Sequence, residues 1–205
     1  PMIPSQSMIF PAPLRPGALV RFLSPASSAP RDQVEATAQL VTGMGYTVDF
    51  GRNAFNRLNY LAGTDEERLA DLNEALRDPR VRAIFATRGG KGSYRIAEQL
   101  DFAAARRDPK WLVGFSDITA LHLALLREGI GGAIHGALRD DARDTVDSPG
   151  GPALTTLLAG TGPVRVAAVA SEPTSVLSNG RSAEGPLIGG NLDMVTTCAG
   201  WALPL

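Results

Sequence analysis

Between residues 18 and 135, short apolar runs alternate with amphipathic stretches, and this alternation constrains the fold more than any other feature of the chain. Residues 18–23 form the first run, which stops at Ser24-Pro25; residues 46–50, 81–87, 111–113 and 132–135 form the others. Residues 31–44 carry Val34, Ala38, Val41 and Met44 on one helical face and end at Gly45. Thr64-Asp65-Glu66-Glu67 has capping-box form ahead of Leu69, Leu72 and Leu76. A further helical segment surrounds Ile96 and Leu100, and residues 118–127 give the fourth helix. Strands that alternate with helices through short connections predict an α/β fold, a parallel sheet with helices on both faces. Ligands of such sheets bind at the carboxyl ends of the strands.

Two segments fall at those ends. The run Trp111-Leu112-Val113-Gly114 is followed by Phe115-Ser116-Asp117 and then at once by a helical pattern. A serine on such a corner has its hydroxyl lifted out of the sheet, beside the free N–H groups of a helix N-terminus. Ser and Asp are also ordinary N-cap residues, so a plain capping role competes with a nucleophilic one. The second segment, Arg88-Gly89-Gly90-Lys91-Gly92-Ser93, is not a phosphate loop, because Gly92 follows Lys91 where Ser or Thr is required. It reads either as a glycine turn or as a cluster of backbone N–H groups aimed at an anion beside Ser116.

Other side chains offer less. His122 lies inside the helix that leads away from Ser116 and reads as structural. His135 ends a strand, where a histidine more often orders a loop or contacts ligand than serves as a base. Cys198, the one cysteine, sits among Thr196, Thr197 and Ala199 as a buried free thiol; it excludes a disulfide framework and agrees with a reducing compartment. Glu66-Glu67 and Asp140-Asp141 read as solvated, and neither stands near a histidine as a metal site requires. A net charge of -1, from 20 Lys+Arg against 21 Asp+Glu, and 6% aromatic residues argue against nucleic acid or anionic membrane as partner. The N-terminus has no basic segment before an apolar core, and nothing approaches the roughly 18 apolar residues of a spanning helix. The expectation is a soluble, intracellular globular protein.

The alternation breaks after Leu138. The organisation expected is an N-terminal α/β domain over 1–138, a linker region over 139–182, and the start of a smaller C-terminal domain over 183–205. A short helix is expected at 153–158, a strand at 164–169 and a helix at 191–199. Leu187, Ile188, Leu192 and Val195 would be left uncovered if residues 183–205 stood without the remainder of that domain.

Four motifs occur in order: Arg88-Gly89-Gly90-x-Gly92-Ser93, the segment from Gly114 to His122, Ile134-His135-Gly136, and Leu187-Ile188-Gly189-Gly190-Asn191-Leu192. Together they resemble the LD-carboxypeptidases, serine peptidases that include the murein tetrapeptide carboxypeptidase and the microcin-immunity peptidases. The resemblance implies a flavodoxin- or glutamine-amidotransferase-like sheet and a homodimer of two-domain subunits without cofactor. It implies removal of the terminal D-alanine from an L,D-peptide bond of cytoplasmic muropeptides during cell-wall recycling. It makes Ser116 the nucleophile, with the N–H groups of Asp117 and of Gly90 or Gly89 as the oxyanion hole. The family's triad adds a glutamate and a histidine downstream of the Gly-Gly-Asn-Leu motif, and neither has a matching position in this sequence. The competing expectation is therefore a non-catalytic module that holds a small anion or peptide without cleaving it.

Overall fold

The computed structural model describes residues 8–136, 152–165, 171, 173, 177, 182–185 and 187–200, and the backbone at 139–140, 143–144 and 150–151. Its centre is a five-stranded parallel sheet of β1 (Leu19–Leu23), β2 (Thr47–Phe50), β3 (Val81–Ala86), β4 (Trp111–Gly114) and β5 (Ala133–His135), in the order β2-β1-β3-β4-β5. The strand order reverses between β1 and β3, so the crevice outside their carboxyl ends is the topological switch point.

Alternation of side chains along each strand builds a separate core on each face. On one face Leu23, Ile84 and Leu112 pack with Leu72 and Leu76 of α2 (Asp65–Arg77), Ala104 and Ala105 of α3 (Phe102–Arg107), and Leu121 of α4 (Thr119–Arg127). On the other face Val20, Phe22, Ala83, Phe85 and Val113 meet Val34, Ala38 and Val41 of α1 (Arg31–Gly43). Each of the larger side chains among them (Val, Leu, Ile and Phe), fully buried, contributes roughly 1.5–3 kcal/mol relative to exposure. The α2 capping box is complete: Glu67 N–H donates to Thr64 Oγ1 at 3.2 Å, and Thr64 N–H donates to Glu67 Oε2 at 2.9 Å.

The structure corrects the expected helix around Ile96 and Leu100. This segment is two 3-10 turns, Ser93–Arg95 and Ala97–Gln99, and Leu100 is extended. Gly92, at φ +112°, precedes the first turn in the left-handed region, and Asp101 starts α3 afresh by accepting the Ala104 N–H at 2.9 Å. Beyond β5, two-residue strands β6 (Arg139–Asp140) and β7 (Arg143–Asp144) pair antiparallel, and α5 (Gly150–Ala159) follows. Leu154 and Leu158 of α5 belong to the same core as α1, and Leu14 N–H donates to the Leu158 carbonyl at 2.7 Å. Val164 and Arg165 lie in no strand, and the rest of the strand expected at 164–169 lies outside the described residues.

The last helix, α6 (Leu192–Ala199), is capped by Asn191, whose Oδ1 accepts the Met194 N–H at 3.1 Å. Cys198 is fully buried, and Met194 and Val195 pack against the same core as α4. Leu187 and Leu192 remain exposed, at 100% and 74%. Among the described residues no helix is long and apolar enough to cross a membrane.

Candidate active site

Ser116 lies two residues beyond the end of β4, at the start of a 3-10 turn (Ser116–Ile118) that runs directly into α4. Its φ is +59°. A left-handed conformation at a residue with a Cβ costs on the order of 1–3 kcal/mol, and such positions gather where surrounding structure over-determines them. Three contacts do so. Ser116 N–H donates to His135 Nε2 at 3.0 Å. Ile118 N–H donates to the Phe115 carbonyl at 3.2 Å. Ser93 grips the next residue from the neighbouring loop, its N–H donating to Asp117 Oδ2 at 2.8 Å and its hydroxyl to the Asp117 carbonyl. The Asp117 carboxylate is thus a buried tie between two loops rather than a group facing solvent.

The glycine loop after β3 approaches this corner closely. A Cβ on Gly89 would stand 2.8 Å from the Phe115 carbonyl oxygen, 2.9 Å from Ser116 Cβ and 3.5 Å from the Asp117 nitrogen. Only glycine permits that approach, which explains the residue type in a way that a simple turn does not. Gly90 takes φ +105°, and a Cβ there would meet Ser27 Cβ at 2.6 Å. Among the described residues, no acceptor holds the N–H of Gly90 or of Asp117. The sequence-predicted residues Ser116, Asp117, Gly89 and Gly90 are therefore brought to one place.

Two loops frame it. Arg68 of α2, with its side chain fully buried, donates from Nη1 to the Pro25 carbonyl at 2.5 Å and to the Gly92 carbonyl at 3.0 Å. It ties the loop after β1 to the loop after β3, and it pairs with Asp65 as well. The Ser24 hydroxyl bridges the same strand ends, 2.5 Å from Thr87 Oγ1. Between the loops and the start of α1 lies a cleft of about 550 Å³, lined among others by Gln33, Thr37, Arg88, Gly89, Gly90 and Phe115. Arg88 is exposed there; its guanidinium donates to the Ser28 carbonyl and pairs with no carboxylate among the described residues.

The histidines are not free bases. His122 is buried, and its desolvation pushes the imidazole from 6.5 down to about 3, helped by the neighbouring His135 and opposed by a hydrogen bond to the Leu112 backbone. Among the described residues its Nε2 has no hydrogen-bond partner. His135, with its ring edge-on to His122 at 6.3 Å, is lowered by partial burial, and its Nε2 lone pair is taken by the Ser116 backbone. Burial, and to a lesser degree the Asp117 charge, raises the Cys198 thiol above its ordinary value, as expected of an inert cysteine. No cluster of metal-ligating side chains exists among the described residues.

Sequence reasoning missed Ser27, Ser93 and Thr119 as parts of this site. Thr119 Oγ1 accepts the Asn191 N–H at 3.0 Å, which seats the Gly-Gly-Asn-Leu segment on the first residue of α4. Ser93 and Thr119 stand inside two of the four motifs, which was the available signal; Ser27 stands in none of them and had no such signal.

A doubly wound sheet with a serine corner at a strand end, faced by a glycine loop, is the layout of an α/β protein with a hydrolase-type elbow. The chain belongs to the LD-carboxypeptidase family: residues 20–136 match the model of the LD-carboxypeptidase N-terminal domain. A protein of Bacillus subtilis named probable murein peptide carboxypeptidase is 34% identical over 192 residues, covering 93% of this chain and 59% of that protein. The murein tetrapeptide carboxypeptidase of Pseudomonas aeruginosa is 39% identical over 118 residues, covering 57% of this chain and 38% of that one. The chain spans about half the length of the curated relatives it matches. The solved structure of the microcin C7 self-immunity protein MccF superposes with a TM-score of 0.72 over 95% of this chain and 66% of that one, at 21% identity, a likeness of fold.

Proposed function

We propose that the protein is a serine carboxypeptidase that removes the terminal D-alanine from an L,D-peptide bond of muropeptides. The observation that carries this reading is the left-handed Ser116, φ +59°, packed against Gly89, with the unbonded N–H of Asp117 next to it and that of Gly90 in the facing loop. In this mechanism Ser116 Oγ attacks the scissile carbonyl carbon, and the oxygen that becomes negative is met by those two N–H groups. Donors of this kind are worth about 3–4 kcal/mol each in acyl transfer. The C–N bond then breaks, the proton given up by Ser116 Oγ ends on the leaving nitrogen so that D-alanine departs as the free amine, and water hydrolyses the acyl-serine to the carboxylic acid and free Ser116. The cleft beside the corner receives the substrate, and Arg88 offers it a cation suited to a terminal carboxylate. Cytoplasmic recycling, a homodimer and a smaller C-terminal domain beginning near residue 183 complete the proposal; membership of the family supports them.

One observation favours a second reading. His122 is buried beyond reach of solvent and the His135 Nε2 is already engaged, so among the described residues no imidazole is free to take the Ser116 proton. A serine without a base is a weak nucleophile, and the same N–H groups would then hold an anion without cleaving it. Incubating the full-length protein with a muramyl tetrapeptide separates the two. Release of free D-alanine supports the peptidase; saturable binding measured by calorimetry with no D-alanine released supports the binding module.

A further inference from the structure

Among the described residues, the one side-chain hydrogen bond to the Ser116 backbone comes from His135, a residue to which the serine mechanism gives no role. Parallel pairing sets Gly114 opposite His135, so the imidazole at the end of β5 stands beside the corner that follows β4. Its Nε2 accepts the Ser116 N–H at 3.0 Å. A nitrogen that accepts carries a lone pair, so the neutral ring must hold its proton on Nδ1. An imidazolium would set N–H against N–H and break the contact. Ser116 meanwhile sits in a backbone region that its Cβ disfavours, and it needs an external partner to stay there.

We propose that His135 is a positioning residue: as the neutral, Nδ1-protonated imidazole it holds the Ser116 N–H, and so keeps the serine corner in its left-handed conformation and the hydroxyl aimed at substrate. The inference rests on Ser116 being the nucleophile. The groups that face His135 fit the role. From α4 comes His122, edge-on at 6.3 Å, buried and neutral. The corner's own carboxylate, Asp117, is buried and held by Ser93 instead. β4 presents Gly114, which carries no charge. Partial burial also lowers the basicity of the His135 ring, which favours the form that accepts.

The test uses the full-length protein and four forms: wild type, Ser116→Ala, His135→Gln and His135→Ala. Glutamine can place a carbonyl oxygen near the Nε2 position and does not titrate there. His135→Ala is expected to lower kcat by about ten- to hundredfold with little change in KM, because a small displacement of the reacting group costs that much. His135→Gln is expected to restore most of kcat, and to move the acid limb of the kcat profile to lower pH than in wild type. Nitrogen-15 NMR of the wild-type imidazole is expected to show the Nδ1-protonated tautomer. Three results would overturn the proposal: unchanged kcat in His135→Ala, a His135→Gln variant that is folded but no better than His135→Ala, or the Nε2-protonated tautomer. Ser116→Ala keeps the two ideas apart. If it turns over normally the nucleophile reading falls, while the tautomer still decides whether His135 holds the corner.

Discussion

Ser116 and the two histidines carry most of what is unusual in this molecule. A buried histidine that must stay neutral couples stability to pH with a definite sign. The folded state holds the His122 imidazole down at about 3, against 6.5 for an ordinary histidine, so between those values the unfolded chain binds more protons than the folded one. The stability contributed by neutral His122 is therefore complete above about 6.5 and is lost progressively as the pH falls toward 3. Urea midpoints should decline between pH 7 and pH 5, a window above the ordinary carboxylate range, and His122→Leu should flatten that decline. An equally steep decline in His122→Leu would show that the acid sensitivity arises elsewhere.

At the level of elements, the capping box of α2 offers the cleanest test, because sequence and structure agree on it atom by atom. Removing the Thr64 hydroxyl leaves the Glu67 N–H without its acceptor, and Thr64→Ala should cost about 1 kcal/mol in urea unfolding. A change below about 0.3 kcal/mol would mean that water replaces the cap without loss. The five strands, α1, α2 and α4 were legible for the same reason: each carries a strong local signal, either an apolar run bounded by turn residues or a helical stripe with a stop. The segment 93–107 was not legible. Ile96 and Leu100 have helical spacing and are both buried, yet they get there through two 3-10 turns. The start of α3 at Asp101 depends on a cap three residues ahead of Ala104, with no apolar stripe to announce it. The site was half legible. Ser116, Gly89, Gly90 and Asp117 stood out as punctuation at strand ends. The grip of Ser93 on Asp117 and of His135 on Ser116 spans 24 and 19 residues, and such contacts are set by tertiary packing that local pattern does not encode.

Across the whole molecule, one sheet separates two cores, and the cleft opens where the strand order reverses between β1 and β3. The loops on either side are joined by a buried arginine, so the wall of the cleft and the serine corner form a connected frame. Residues 189–199 belong to that frame through Thr119 and Cys198, which places the fourth family motif beside the first residues of α4. Leu187, just before that stretch, and Leu192 within it are exposed, and we propose that they belong to a smaller C-terminal domain beginning near residue 183. The central claim is that Ser116 attacks a peptide bond, and the most direct measurement is the rate of D-alanine release from a muramyl tetrapeptide by the full-length protein and by its Ser116→Ala variant. The account predicts release by the wild type and a loss of roughly a thousandfold or more in the variant, which should remain folded. D-alanine release at a near-normal rate by folded Ser116→Ala would contradict it.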